Sequence, residues 1–294
     1  MLNNKSVKIF IIHNNEEERL LYLSKKIPDL LEYFNNNSIT AEVNYIGPDI
    51  SSIKNNKFFD TFILRLTRQF YITKINFFMD FHNPTRSKKI FIFFQHLIRF
   101  LKSIRKLQKD GVRSIIPEQE NLQAHIYALH SIRHFSGFGI VLESDAIFLN
   151  QSGKNLIDLF SHLEGLVDRK SLYCDLAGGC DRKEILNSWA FENEHILRNI
   201  QINSNLEAHI LPTLVNNTAG GYLINSAFAE QFFDFLTTKK YMLPIDFAFN
   251  LFACEKSRFI DFICIHTTPT IFEQGSSIGR YSSSSTFFKK EKLS

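Results

Sequence analysis

Two hydrophobic rhythms run along the chain. Val7 to Asn14 (VKIFIIHN) is a β-branched apolar run that stops at the polar turn Asn15-Glu16-Glu17-Glu18, the pattern of a buried strand. Leu20, Leu21, Leu23, Ile27, Leu30 and Leu31 then mark the apolar side of a helix, with Pro28 set to kink or break it. After the Asn35-Asn36-Asn37 loop, ITAEVNYI (Ile39 to Ile46) alternates as a second strand and closes at Gly47-Pro48. Strand, helix, strand at the start predicts a parallel α/β sheet. No GxGxxG follows the first strand, so a Rossmann dinucleotide site is not supported.

The rhythm is least readable over residues 50–86, where Phe58, Phe59, Phe62, Ile63 and Leu66 suit a helix. Residues 50–112 together read as a variable helical insert. Within it, Ser87 to Lys109 is amphipathic: Ile90, Phe94, Leu97, Leu101 and Ile104 share one face, and Lys88, Arg99, Lys102, Lys106 and Lys109 lie on the other. Such a helix either packs its apolar face into a core beneath a solvated lysine face, or lies on an anionic membrane surface.

The stretch Pro117 to Leu149 organises the rest. Pro117 suits the first helical position, and Glu118 and Glu120 fall in the first turn, where the helix dipole favours negative charge. Leu122, Ile126, Leu129 and Ile132 recur at helical spacing, with Arg133 and His134 at the C-terminal end. Ser136-Gly137 ends the helix. GIVLESDAIF then reads as a buried strand, apolar until it meets Glu143-Ser144-Asp145. Downstream the pattern predicts a helix over Asn155–Val167, a strand over Ser171–Leu176 and a tight turn at Gly178-Gly179. Ala190–Asn203 alternates between loop-like and helical. A strand follows over Gly221–Ile224, entered through Asn217-Thr218-Ala219-Gly220, then a helix over Phe228–Leu236. A second helix opens at Pro244 with Asp246 in its first turn, and a last strand over Phe259–Ile265 ends at His266. The expected fold is α/β: one domain over residues 1–280, a mostly parallel sheet flanked by helices, and a flexible basic tail over 281–294.

Composition narrows the class. A hydrophobic content of 44% with 22% charged residues describes a globular chain. A net charge of only +4 argues against nucleic acid as a partner. Cys174, Cys180, Cys254 and Cys264 show neither CxxC spacing nor a dense framework, which fits buried thiols in a reducing cytoplasm. No run of about 18 apolar residues is present, so no membrane span is expected. The apolar core near the N-terminus is too short for a signal peptide and reads as the first strand.

Candidate chemistry centres on Glu143 and Asp145. In an extended chain residues i and i+2 point the same way, so the two carboxylates would converge at a strand end, where α/β sheets bind ligands. Hard oxygen ligands there suit Mg²⁺ or Mn²⁺ bridged to a phosphate; the plainer alternative is a turn-forming or capping Asp. Gly220 and Gly221 either let a ligand approach the backbone or make a bulge. Gly275-Ser276-Ser277-Ile278-Gly279 matches GxSxG, but neither a helix nor a later His follows it, so a nucleophile elbow is rejected. Of His125, His130 and His134 only the last two share a helical face, and no HExxH is present, so a zinc site is not expected.

In order and spacing these motifs resemble the bacterial family 25 glycosyltransferases, which build lipooligosaccharide and related surface glycans. The matching features are Glu118 with His125 seven residues on, then Leu142-Glu143-Ser144-Asp145, Gly221 to Ile224, Pro244 to Asp246, and Pro269 through Gln274 and Ser276. They cover roughly residues 115–280; the first strand and Arg19 are similar to the family's opening, and residues 50–110 show no likeness. The resemblance implies a GT-A-like fold and an inverting hexosyltransferase using a nucleotide-sugar, UDP-galactose or UDP-glucose being typical. It also implies a glycolipid or oligosaccharide acceptor at the inner face of the plasma membrane, which the basic helix over 87–109 and the tail, by their own charge and not by the resemblance, would help the chain reach. By the same resemblance Asp145, Glu143 and His266 would hold Mn²⁺ or Mg²⁺, and Asp246, with Glu143, would be catalytic, Asp246 either as base to the acceptor hydroxyl or as its hydrogen-bond partner. Asn14, Arg19, His125, Ser144, Asp145, Gly220, Gly221, Gln274 and Ser276 would contact the donor. Ser144 stands where the family carries an Asp, which puts metal dependence in question. Two other readings stay open on these residues: a metal-dependent hydrolase of phosphodiesters or nucleotide-sugars, and a non-catalytic glycan-binding relative.

Overall fold

The structure, a computed structural model, describes residues 5–47, 66–67, 69–71, 73–74, 86–109, 116–163, 170–178, 198–211, 214, 219–239, 243–256 and 262–281. The opening unit is as expected: β1 (Lys5–Ile12), α1 (Glu17–Asn36) and β2 (Ile39–Ile46), with β1 and β2 parallel. Pro28 does not break α1. It is exposed, and Leu23, Ile27, Leu30 and Phe34 keep one buried face on both sides of it. There follow α2 (Arg86–Lys109), α3 (Ile116–Ile132), β3 (Phe138–Glu143), β4 (Ala146–Phe148), α4 (Ser152–Leu163) and β5 (Ser171–Asp175). Then come β6 (Arg198–Asn203), β7 (Leu206–Leu211), β8 (Gly221–Asn225), α5 (Ser226–Lys239), α6 (Ile245–Lys256), β9 (Phe262–Thr268) and β10 (Phe272–Gln274).

The sheet order is β2-β1-β3-β8-β5-β9-β7-β6. It is mixed rather than mostly parallel. β1 pairs in parallel with β2 and β3, and β5 with β9, while β8 runs antiparallel to both β3 and β5, and β7 to both β6 and β9. Two further expectations are corrected. GIVLESDAIF is not one strand: Ser144 and Asp145 form a turn, and β4 beyond it pairs with β10 instead. The end of the stretch read as loop or helix is the strand β6, which forms a hairpin with β7 through Ser204-Asn205. Ile200, Ile202, Leu206 and Ala208 alternate onto one core face there.

Helices cover both faces. α3, α5 and α6 pack on one through Leu122, Leu129, Phe228, Phe232 and Phe249; α1 and α4 pack on the other through Leu23, Leu30, Leu156 and Phe160. The α3–β3 link runs against β1 at Gly137, where an added Cβ would stand 2.0 Å from the Ser6 carbonyl oxygen, so no larger residue fits without moving a strand. The apolar face of α2 does not join either core: Ile90, Phe91, Phe94 and Leu101 are exposed. At the other end of the chain Tyr281, placed at the start of a flexible tail, is buried; residues 282–294 lie outside the described residues, as do Asn217, Thr218 and most of 50–85. Cys174 and Cys264 are buried free thiols, as expected of them; Cys180 lies outside the description.

Candidate active site

The register gathers the chemistry at one edge of the sheet. Ile12 faces Glu143 across β1 and β3, Leu142 faces Gly221 of β8, and Asp175 faces both Tyr222 and His266. The ends of β1, β3, β5 and β9 therefore meet the start of β8 where an α/β sheet binds ligands.

Glu143 ends β3 with its backbone N–H donated to the Gly220 carbonyl at 3.0 Å. Its side chain accepts from Asn121 Nδ2 at 2.9 Å, and His125 Nε2 stands 3.6 Å away, just past hydrogen-bond length. His125 is fully buried in α3, and its Nδ1 lies 2.7 Å from the Tyr222 hydroxyl. Burial and the Glu143 charge push the Tyr222 phenol well above its ordinary range, so it stays a donor. Tyr222 O–H donating to Nδ1 leaves the His125 proton on Nε2, aimed at Glu143. Burial alone would raise the Glu143 carboxyl, but His125, Asn121 and Arg19 together hold it below its usual value, and it is ionised at neutral pH.

Asp145 is arranged differently. It is 4% exposed. Oδ2 accepts from Ser276 Oγ at 2.5 Å and Ser276 N–H at 3.2 Å, while Oδ1 is buried and has no hydrogen-bond partner. Burial and the nearby Glu143 charge raise its pKa against the pull of Ser276 and Arg19. The Asp145 carbonyl also accepts from Gly275 N–H at 2.8 Å, and a Cβ on Gly275 would meet Tyr281 Cδ2 at 2.5 Å. Because its native pKa is raised, the stabilising contribution of Asp145 is full below the ordinary Asp value and is lost as the pH rises through the raised one. Ser276 counters that loss by bonding the charged form. Ser276→Ala is therefore expected to cost about 1.5–3 kcal/mol at neutral pH, with the deficit narrowing as acid protonates Asp145. Melting curves of both proteins across the carboxylate range check this; a deficit independent of pH would contradict it.

Ser144 sits between Arg19 and Glu16. Its Oγ is 3.5 Å from Arg19 Nη1 and 3.3 Å from Glu16 Oε2, and Arg19 and Glu16 pair at 3.1 Å. A carboxylate at position 144 would face the Glu16 carboxylate, so the Ser fits an Arg19 already neutralised from the other side. The Arg19 guanidinium also lies over the Tyr281 ring, 5.2 Å from its centre. Asn14 follows β1, and its N–H donates to Glu16 Oε2 at 3.1 Å.

The remaining candidates are Gly220, Gly221, Asp246 and His266. Gly220 and Gly221 make room for the protein's own side chains: a Cβ at Gly220 would stand 3.1 Å from Gln274 Cδ, and one at Gly221 3.0 Å from Leu142 Cδ2. Asp246 lies half-buried in the first turn of α6, on the α3 face of the sheet. His266 pairs with Asp175, Nδ1 to Oδ2 at 3.4 Å, and Asp175 Oδ1 accepts the Ala177 and Gly178 N–H groups at 3.0 Å each. β9 is three strands from β3, roughly 14 Å at ordinary strand spacing. Asp145, Glu143 and His266 are thus not brought together, and among the described residues no three His, Cys, Asp or Glu side chains form a metal-binding group. Asp175 escaped the sequence reading, although SLYCD shows the same signal as β3, an apolar strand ending on a carboxylate. No protein-family model matches the chain, and no curated protein is significantly similar to it.

Proposed function

We propose that this chain is an inverting glycosyltransferase that moves a hexose, galactose or glucose, from a UDP-linked donor to a hydroxyl of a glycolipid or oligosaccharide acceptor at the cytoplasmic face of the membrane. The observation that carries the reading is Asp145 Oδ1, a buried carboxylate oxygen without a hydrogen-bond partner at the sheet edge beside Glu143. A buried carboxylate with one oxygen left without a donor is costly to ionise, and a positive partner would relieve that cost. The motif order from Glu118 to Ser276 supports the same reading.

The carboxylates would repel a diphosphate, and Arg19 is already paired with Glu16. Asp145, Glu143 and His266 do not come together as a ligand set; in this reading Asp145 alone would hold Mn²⁺ or Mg²⁺, ions that commonly take one or two carboxylates together with substrate phosphates. When bound, the ion would neutralise the departing diphosphate. In this reading Asn14, Arg19 and Ser276 line the donor side, while Gln274 and the two glycines shape the floor. His125 keeps Glu143 ionised and in place. Asp246 takes the proton of the acceptor hydroxyl as that oxygen attacks the anomeric carbon from the side opposite the leaving group.

Thermal unfolding against a panel of nucleotides and nucleotide-sugars, with and without Mn²⁺, tests it. A ligand at about a hundred times its dissociation constant adds about 2.7 kcal/mol of stability. UDP or a UDP-hexose is expected to raise the melting temperature, more so with Mn²⁺. No shift with any nucleotide overturns the reading.

A further inference from the structure

Helix α2 presents to solvent the residues that an ordinary packed helix would bury. Ile90, Phe91, Phe94, Leu97, Ile98 and Leu101 are between 40% and 64% exposed, whereas His96, outside that stripe, is 4% exposed. At 3.6 residues per turn the six fall within an arc of about 120°. Phe100 ties the helix down through an edge-on contact with Phe70, ring centres 6.1 Å apart. The helix carries eight Lys and Arg among its 24 residues and neither Asp nor Glu.

We infer that α2 is a membrane-surface helix that lies on an anionic bilayer with this stripe among the acyl chains and its cations at the headgroups. Charge decides the occupant. A second copy would set one Lys- and Arg-rich helix without an acid against another, and a neutral apolar partner would answer the stripe but not the helix's net charge. A bilayer of acidic lipids satisfies the stripe and the charge together, and a Phe- and Leu-rich face with a Lys- and Arg-rich flank is what an interfacial helix requires. No helix among the described residues is long and apolar enough to cross a membrane, so the contact is along the surface. The inference is independent of the reaction catalysed at the sheet edge.

Co-sedimentation of the full chain with phosphatidylglycerol–phosphatidylcholine vesicles, compared with phosphatidylcholine alone, is the test. At low salt the partition into anionic vesicles is expected to exceed that into neutral ones at least tenfold, and to fall as the ionic strength is raised to about 0.5 M, where charges are screened within a few ångströms. A triple Phe91→Ser, Leu97→Ser, Ile98→Ser variant changes only exposed positions, so its melting temperature should hold while its partition drops tenfold or more. The inference is overturned if the parent shows no preference for anionic vesicles or if the triple variant sediments like the parent. It is also overturned if light scattering without lipid finds a dimer that the variant dissociates, or if the stripe is held instead by an acidic protein that vesicles do not displace.

Discussion

Under the proposed function, Asp145→Asn is expected to lower hexose transfer by roughly 10²–10³-fold, the usual cost of removing one group that meets developing charge, while raising the melting temperature. The two effects have one cause. Asp145 is buried beside Glu143, its pKa is raised, and Oδ1 lacks a hydrogen-bond partner, so burial and the Glu143 charge disfavour its charged form in the folded protein. The amide has the same shape, keeps a carbonyl oxygen for the Ser276 N–H and hydroxyl, and removes the repulsion from Glu143. In the proposed function that cost is stability given up for activity at the site. Donor-dependent turnover and a melting curve on the same sample check both halves. Unchanged turnover would remove Asp145 from the site, and a lower melting temperature would make its charge structural.

Phe249→Ala is expected to destabilise the protein by about 3–5 kcal/mol, the range for truncating a buried aromatic. Phe249 is fully buried in α6 and stacks on Phe232 with ring centres 4.4 Å apart and planes 13° apart. Tyr173 and Tyr222 meet it at 5.1 and 5.2 Å, and Phe228 at 6.2 Å. These rings come from β5, β8, α5 and α6, so no single neighbour can move to fill the space. The loss should also reach the site, because Tyr222 is the residue that holds His125. Denaturant unfolding should show a lower midpoint at unchanged slope. A cost below about 1.5 kcal/mol, the level of a volume-conserving core swap, would mean that the cluster repacks freely.

Much of this architecture is legible along the chain. The strands β1, β2, β5 and β8 and the helices α1, α3 and α5 fall where apolar period and turn residues place them, since each signal is complete within a dozen residues. The β6–β7 hairpin was written in the alternation of Ile200, Ile202, Leu206 and Ala208, but its polar outer face masked it. Glu143 and Asp145 were legible as carboxylates ending an apolar strand. Their convergence by strand alternation was not, because the chain turns at Ser144 and sends Asp145 toward Ser276.

Local pattern thus established an α/β chain, the order of its elements and the residue types at its strand ends, because burial and hydrogen bonding impose their periods on any short segment. Strand direction and partnership came from folding. Whether β8 runs up or down between β3 and β5, whether Glu143 finds Asn121 and His125, and whether His266 finds Asp175 depend on pairings between residues 18 to 91 apart in sequence. The fate of α2 is the plainest case. Its sequence states that one face is apolar, but only the arrangement of the other elements leaves that face against solvent, since a stripe is buried or exposed by what packs on it and not by its own residues.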